Sequence, residues 1–150
     1  MKRNYLFALS SIAFSLIGIS LFSFSYYVNE NFAMPSQREL LNIYRSIPEP
    51  TTTIKNTLSI RKKWISPYIL AEMKCPNLDS EEGIFFFTEY LSNNGWNVQK
   101  IKIKHRNNGT CEYILNATKG EVFISVNHRE IENTWGFFLI KEDWVYNWGL

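Results

Sequence analysis

Between Tyr5 and Val28 the chain carries no charged side chain, and this run dominates what the rest of the sequence can do. At about 1.5 Å per residue these 24 positions make a helix of roughly 36 Å, longer than a hydrocarbon core of about 30 Å. Lys2 and Arg3 precede the run and Glu30 follows it, so the N-terminus is expected to stay in the cytoplasm and the remainder to be exported. Two fates share this pattern. An uncleaved anchor fits the length of the run and the interfacial pair Tyr26-Tyr27. A cleaved signal peptide fits the small residues Ser23 and Ser25 flanking Phe24. The expected location is the inner membrane, with the C-terminal part in the periplasm or outside the cell; cleavage would release it as a secreted protein. Ser11, Ser15 and Gly18 form a small-residue stripe that an anchor tolerates without needing it.

Three segments follow from this reading: residues 1–28 as anchor or signal peptide, 29–50 as a stem with a short helix, and 51–150 as one globular domain. Without Lys2 and Arg3, 14 basic residues face 14 acidic ones, which argues against nucleic-acid binding through a general positive field. Five Trp, eight Tyr and eleven Phe supply enough aromatic surface to close a core. Cys75 and Cys111 both lie in the exported part. An even count in an oxidising compartment predicts a disulfide between them, with two buried thiols as the alternative.

In the stem, Leu40, Leu41, Tyr44 and Ile47 recur at helical spacing, predicting a short helix over Gln37 to Ile47 that Pro48 and Pro50 end. Thr51 begins an extended passage. Trp64 to Met73 reads as a strand, and Pro67 places it at a sheet edge or a bulge. Asp79 to Asn94 is the clearest helix. Asp79 is a natural N-cap with Glu82 at the capping-box position, and Ile84, Phe87, Tyr90 and Leu91 share a face. Gly95 suits a left-handed C-terminal cap, and Trp96 is placed to fold back over the helix end. Gly83, in the first turn, weakens the helix with no compensation visible in the sequence. Beyond Gly95 the pattern is a meander: strands over Asn97 to Arg106, Cys111 to Thr118, Glu121 to His128 and Trp135 to Lys141. The turns between them lie at Asn107-Asn108-Gly109, Lys119-Gly120 and Arg129 to Asn133. The expected fold is α+β, one main helix packed on a mostly antiparallel sheet of four to five strands.

The helix carrying Phe87, Tyr90 and Leu91 and ending in Gly95-Trp96, followed by hairpins, resembles small exported or membrane-anchored bacterial domains of uncharacterised function. The likeness covers roughly residues 35 to 142 in outline. It implies membrane attachment and brings no catalytic residues.

Candidate chemistry is sparse. His105 and His128 lie near turns without the spacing of a zinc site, and read as surface residues. Cys111 and His105 lack the local signature of a nucleophile and its base. No catalytic, cofactor or metal-binding residue is expected, and the chain is read as a non-enzyme that acts by binding. Two surfaces are candidates for a partner. Lys100, Lys102 and Lys104 share one face of a strand, and Arg61, Lys62 and Lys63 add to the field if their strand lies nearby; the same lysines would protect a sheet edge. Trp135, Trp144 and Trp148 make the C-terminal stretch aromatic, as interfaces often are. The expected role is an immunity-type protein masking an exported toxin at the cell envelope. The alternative is an accessory protein binding lipid head groups or cell-wall polymer through the basic strand and the aromatic tail. Asn108 and Asn116 begin glycosylation sequons that matter only in a eukaryotic secretory pathway, whereas the wealth of Asn, Ile and Lys points to a bacterium.

Overall fold

The computed structural model describes residues 2–51, 53–63, 66–105 and 111–142. The chain divides into two compact units, Met1–Pro35 and Ser36–Leu150.

The first unit is dominated by helix α1, Lys2–Val28. Ile12, Phe14, Leu16, Phe22, Phe24 and Tyr27 are all exposed on it, so its apolar surface faces outward. A helix this long and apolar can serve as a membrane anchor or a signal sequence. It runs into a π turn, Asn29–Ala33, where the Met34 N–H reaches back to the Asn29 carbonyl. Pro35 supplies the reason: it has no N–H for the Asn31 carbonyl and its ring crowds that oxygen, and a wider turn accommodates both defects.

Helix α2, Met34–Ser46, follows directly. Leu40 and Tyr44 of α2, and Ile47 just beyond it, are buried in the core of the second unit. The segment expected to be a stem therefore supplies a wall of the domain. Among the described residues the sheet has six strands: β1 (Lys55–Lys63), β2 (Ser66–Lys74), β3 (Asn97–His105), β4 (Cys111–Lys119), β5 (Val122–Arg129) and β6 (Thr134–Lys141). Their order is β1-β2-β6-β5-β4-β3, with every neighbouring pair antiparallel. A hairpin and a four-strand meander are thus joined side by side through β2 and β6. The connection between them is helix α3, Ser80–Asn93.

The fold class is α+β as expected, with more strands. The additional strand is β1, where the sequence offered only an extended passage. β2 is internal to the sheet, between β1 and β6, so Pro67 marks neither an edge nor a bulge. It is the second residue of its strand, where a missing N–H costs least.

Alternation decides the faces. Ile69, Ala71 and Met73 of β2, Leu115 and Ala117 of β4, Ile124 and Val126 of β5, and Trp135, Phe137 and Leu139 of β6 are buried against the helices. From α3, Ile84, Phe87 and Leu91 meet them. Phe87 is the centre, with ring centroids 5.2 Å from Trp135 and 5.3 Å from Phe137, while Tyr44 of α2 stands 5.9 Å from Phe137. The opposite face carries half-buried Tyr68, Phe123 and Phe138, with Phe138 5.8 Å from Tyr68.

The ends of α3 follow the sequence closely. The Asp79 carboxylate accepts the Glu82 N–H at 2.8 Å. At the other end the Trp96 N–H bonds the Leu91 carbonyl and the Gly95 N–H bonds that of Ser92, with Gly95 at φ 77°. This pair of bonds is a Schellman cap, which needs the left-handed residue that glycine provides most cheaply. Trp96 is buried beside it.

Candidate functional site

Among the described residues of the second unit, a groove lies where α2 and α3 both end. Glu39, Asn42, Ile43 and Ser46 line it from α2, Tyr90, Asn94 and Trp96 from α3 and its cap, and Lys119 and Val122 from the β4–β5 turn. It encloses about 560 Å³. The amphipathic pattern of α2 explains the position: burying Leu40 and Tyr44 turns the Glu39–Asn42–Ser46 edge toward α3.

The last carbonyls of the two helices need donors, and the walls of the groove provide them. The Tyr90 hydroxyl donates to the Ser46 carbonyl at 2.7 Å. The Ser46 hydroxyl donates to the Ile43 carbonyl, also at 2.7 Å. Lys119 Nζ donates to the Asn94 carbonyl at 2.8 Å, placing a cation at the negative end of α3. Lys141 Nζ holds Glu39 at 2.7 Å on the rim. Trp96 and Val122 are buried and give the groove an apolar floor. A fixed apolar floor under a polar rim can hold an apolar group while hydrogen-bonding what is attached to it. The Asn42 amide and the remaining N–H bonds of Lys119 are the groups placed for that role.

A second cluster joins β5, β6 and the start of α3. His128 is 2% exposed, in place of the surface residue the sequence promised, and its ring stacks on Trp135 at 4.3 Å and 22°. Its Nδ1 lies 2.8 Å from the Ser80 hydroxyl oxygen, and Glu130 Oε1 lies within 3.4 Å of the same oxygen. Burial holds the imidazole below its ordinary pKa, while Glu130 and Asp79 push the other way. A serine beside a histidine invites a nucleophile reading, yet Ser80 is 9% exposed and a substrate must reach its oxygen. The geometry is that of a clasp fixing the helix start to the sheet. Sequence reasoning missed it because the partners lie 48 positions apart.

The residues singled out in the sequence are dispersed. Trp135 is fully buried against Phe87 and His128, so it belongs to the core and to no partner surface. Trp144 and Trp148 lie outside the described residues. Lys100, Lys102 and Lys104 occupy alternate positions of β3, in register with Asn116, Ile114 and Glu112. Arg61, Lys62 and Lys63 belong to β1 at the opposite edge of the sheet, so the two basic strands form no common field.

Cys75 is a free, buried thiol with Sγ 3.3 Å from the Thr53 hydroxyl. The register makes Lys74, Thr134, Arg129 and Glu112 neighbours across four strands. Cys75 and Cys111 are therefore three strand spacings apart, roughly 14 Å, twice the reach of a disulfide at about 7 Å. The expected bridge does not form because β6 and β5 lie between the two cysteines. His105 and Cys111 are partners in the β3–β4 register. Among the described residues no three His, Cys, Asp or Glu side chains are grouped to hold a metal ion. No protein-family model, curated protein or solved structure matches the chain.

Proposed function

We propose that this chain is a membrane-tethered protein of the cell envelope that acts by binding a protein partner on the far side of the membrane, rather than by catalysis. The observation that carries this reading is the groove between the ends of α2 and α3, a preformed hollow with an apolar floor and a polar rim. Its walls are held by hydrogen bonds from Tyr90, Ser46 and Lys119, so little ordering is needed when a partner enters. The long apolar α1 supports the tether. Within this reading the partner is an exported toxin and the role is immunity, because a tethered binder intercepts its target at the membrane surface.

The test is photo-cross-linking in intact cells, with a photoreactive amino acid at Asn42 or at Lys119 and, as control, at exposed Ile131. One protein adduct from both groove positions and none from the control supports the proposal, and a toxin as that adduct supports immunity. Adducts to lipid or cell-wall material alone would overturn it in favour of an envelope accessory role.

A further inference from the structure

Among the described residues, β1 and β3 are the two edges of the sheet, and they are built differently. β3, at one edge, has its register broken between Val98 and Lys100 and carries lysine at positions 100, 102 and 104. An irregular register and alternating lysines are both devices that keep a foreign strand from pairing. β1, at the other edge, pairs with β2 over nine residues without a register shift, from Lys55↔Lys74 to Lys63↔Ser66. It contains neither proline nor glycine, and its middle, Thr57-Leu58-Ser59-Ile60, is uncharged. Leu58 and Ile60 are on the helix-facing side, opposite Ala71 and Ile69, but at 42% and 38% exposure they overhang the core. Ile54, just before the strand, is 68% exposed.

We infer that β1 accepts an additional strand, supplied by an acidic extended segment of a partner protein. A regular edge offers unpaired backbone N–H and C=O groups, which give affinity, and the side chains on alternate positions give selectivity. The partner's apolar residues cover Leu58 and Ile60. Its carboxylates meet Arg61, an exposed cation on the other face of the strand from Leu58 and Ile60.

The charge pattern also selects against a second copy of this chain. Antiparallel self-pairing about Ser59 sets Leu58 opposite Ile60, which is favourable, but sets Lys55 opposite Lys63 at both ends. Like charges directly across a strand pair are destabilising. An acidic segment reverses the sign of that term. This surface belongs to the edge strand and is independent of the groove between α2 and α3.

Amide hydrogen exchange on the full chain in lipid nanodiscs tests the inference, with a short synthetic peptide of alternating glutamate and valine as the probe. Alternate amides within 55–63 are expected to exchange at least about tenfold more slowly with the peptide bound, as backbone pairing requires. The same peptide N-methylated at alternate amides should give no protection, and a lysine–valine peptide should bind at least about tenfold more weakly. The charge-reversed variant Arg61→Glu should shift these preferences toward the lysine peptide. Leu58→Asp with Ile60→Asp should remove binding, and Ser59→Asp serves if that pair lowers the melting temperature. Absence of protection in β1, equal binding of the lysine peptide, or protection that appears without peptide as protein concentration rises would each overturn the inference. The last result would identify the occupant as a second copy.

Discussion

The indole of Trp135 fills the space in which a side chain at position 83 would begin: a Cβ built on Gly83 collides with the six-membered ring. A glycine that costs helix stability is thus the condition for α3 to lie this close to β6.

Gly83→Ala is a test of that relationship because two effects of opposite sign compete. Helix propensity favours alanine by about 1 kcal/mol. Overpacking against a ring held between Phe87 and His128 costs about 1–3 kcal/mol. The clash should win, lowering the melting temperature by several degrees in far-UV circular dichroism of the full chain. A higher melting temperature would show that the helix can back away from β6.

How much of this was legible in the sequence depends on the range of the interaction. The caps of α3 were readable because Asp79 and Glu82, or Leu91 and Trp96, are close along the chain. The meander was readable from alternation and turn residues. β1 was not, because only Leu58 and Ile60 mark its helix-facing side and polar residues surround them. The pairing of β2 with β6 joins residues 60 or more positions apart, such as Ile69 and Leu139. That pairing separates Cys75 from Cys111, buries Trp135 and explains Gly83, and no local pattern encodes it. The groove was invisible for the same reason, since Ser46 and Tyr90 meet only once both helices are on the sheet.

Cys75 should behave as a free thiol in the folded protein. Its Sγ is buried beside Thr53, and that burial pushes its pKa up, which lowers the fraction present as reactive thiolate. Alkylation of the folded protein without reductant should leave Cys75 unlabelled, and alkylation after denaturation should label it. Intact mass would show a loss of two hydrogens if Cys75 and Cys111 were bridged within one chain, and that finding would contradict the strand order.

Tyr44→Phe isolates one hydrogen bond between α2 and the edge strand. The Tyr44 hydroxyl donates to Asn56 Oδ1 at 2.7 Å, while the Asn56 amide donates to Glu49 at 2.6 Å. Phenylalanine keeps the ring against Phe137 and removes only the hydroxyl. The expected loss is about 1 kcal/mol, the net worth of such a bond. Denaturant titration should show a lower midpoint with an unchanged slope. Asn56→Ala alone and combined with Tyr44→Phe completes the cycle, and the two losses should fall short of additive.

The His128 clasp makes stability depend on pH with a sign that can be worked out. Burial lowers the imidazole pKa in the folded state below its value of 6.5 in the unfolded chain, although Glu130 and Asp79 oppose the shift. Between those two pKa values the unfolded chain binds the proton and the folded one does not, so acidification favours unfolding. The stabilisation is complete above pH 6.5 and is lost as pH falls from there through the folded pKa. The imidazolium carries an N–H on both ring nitrogens, and its Nε2 is a buried atom that has no hydrogen-bond partner among the described residues. Denaturant midpoints measured between pH 7.5 and pH 5 should therefore fall. His128→Phe, which keeps a ring to stack on Trp135, should lose stability at pH 7.5 because Ser80 loses Nδ1, yet flatten the decline toward pH 5. Equal slopes in the two proteins would assign the acid sensitivity to the carboxylates and leave His128 a packing residue only.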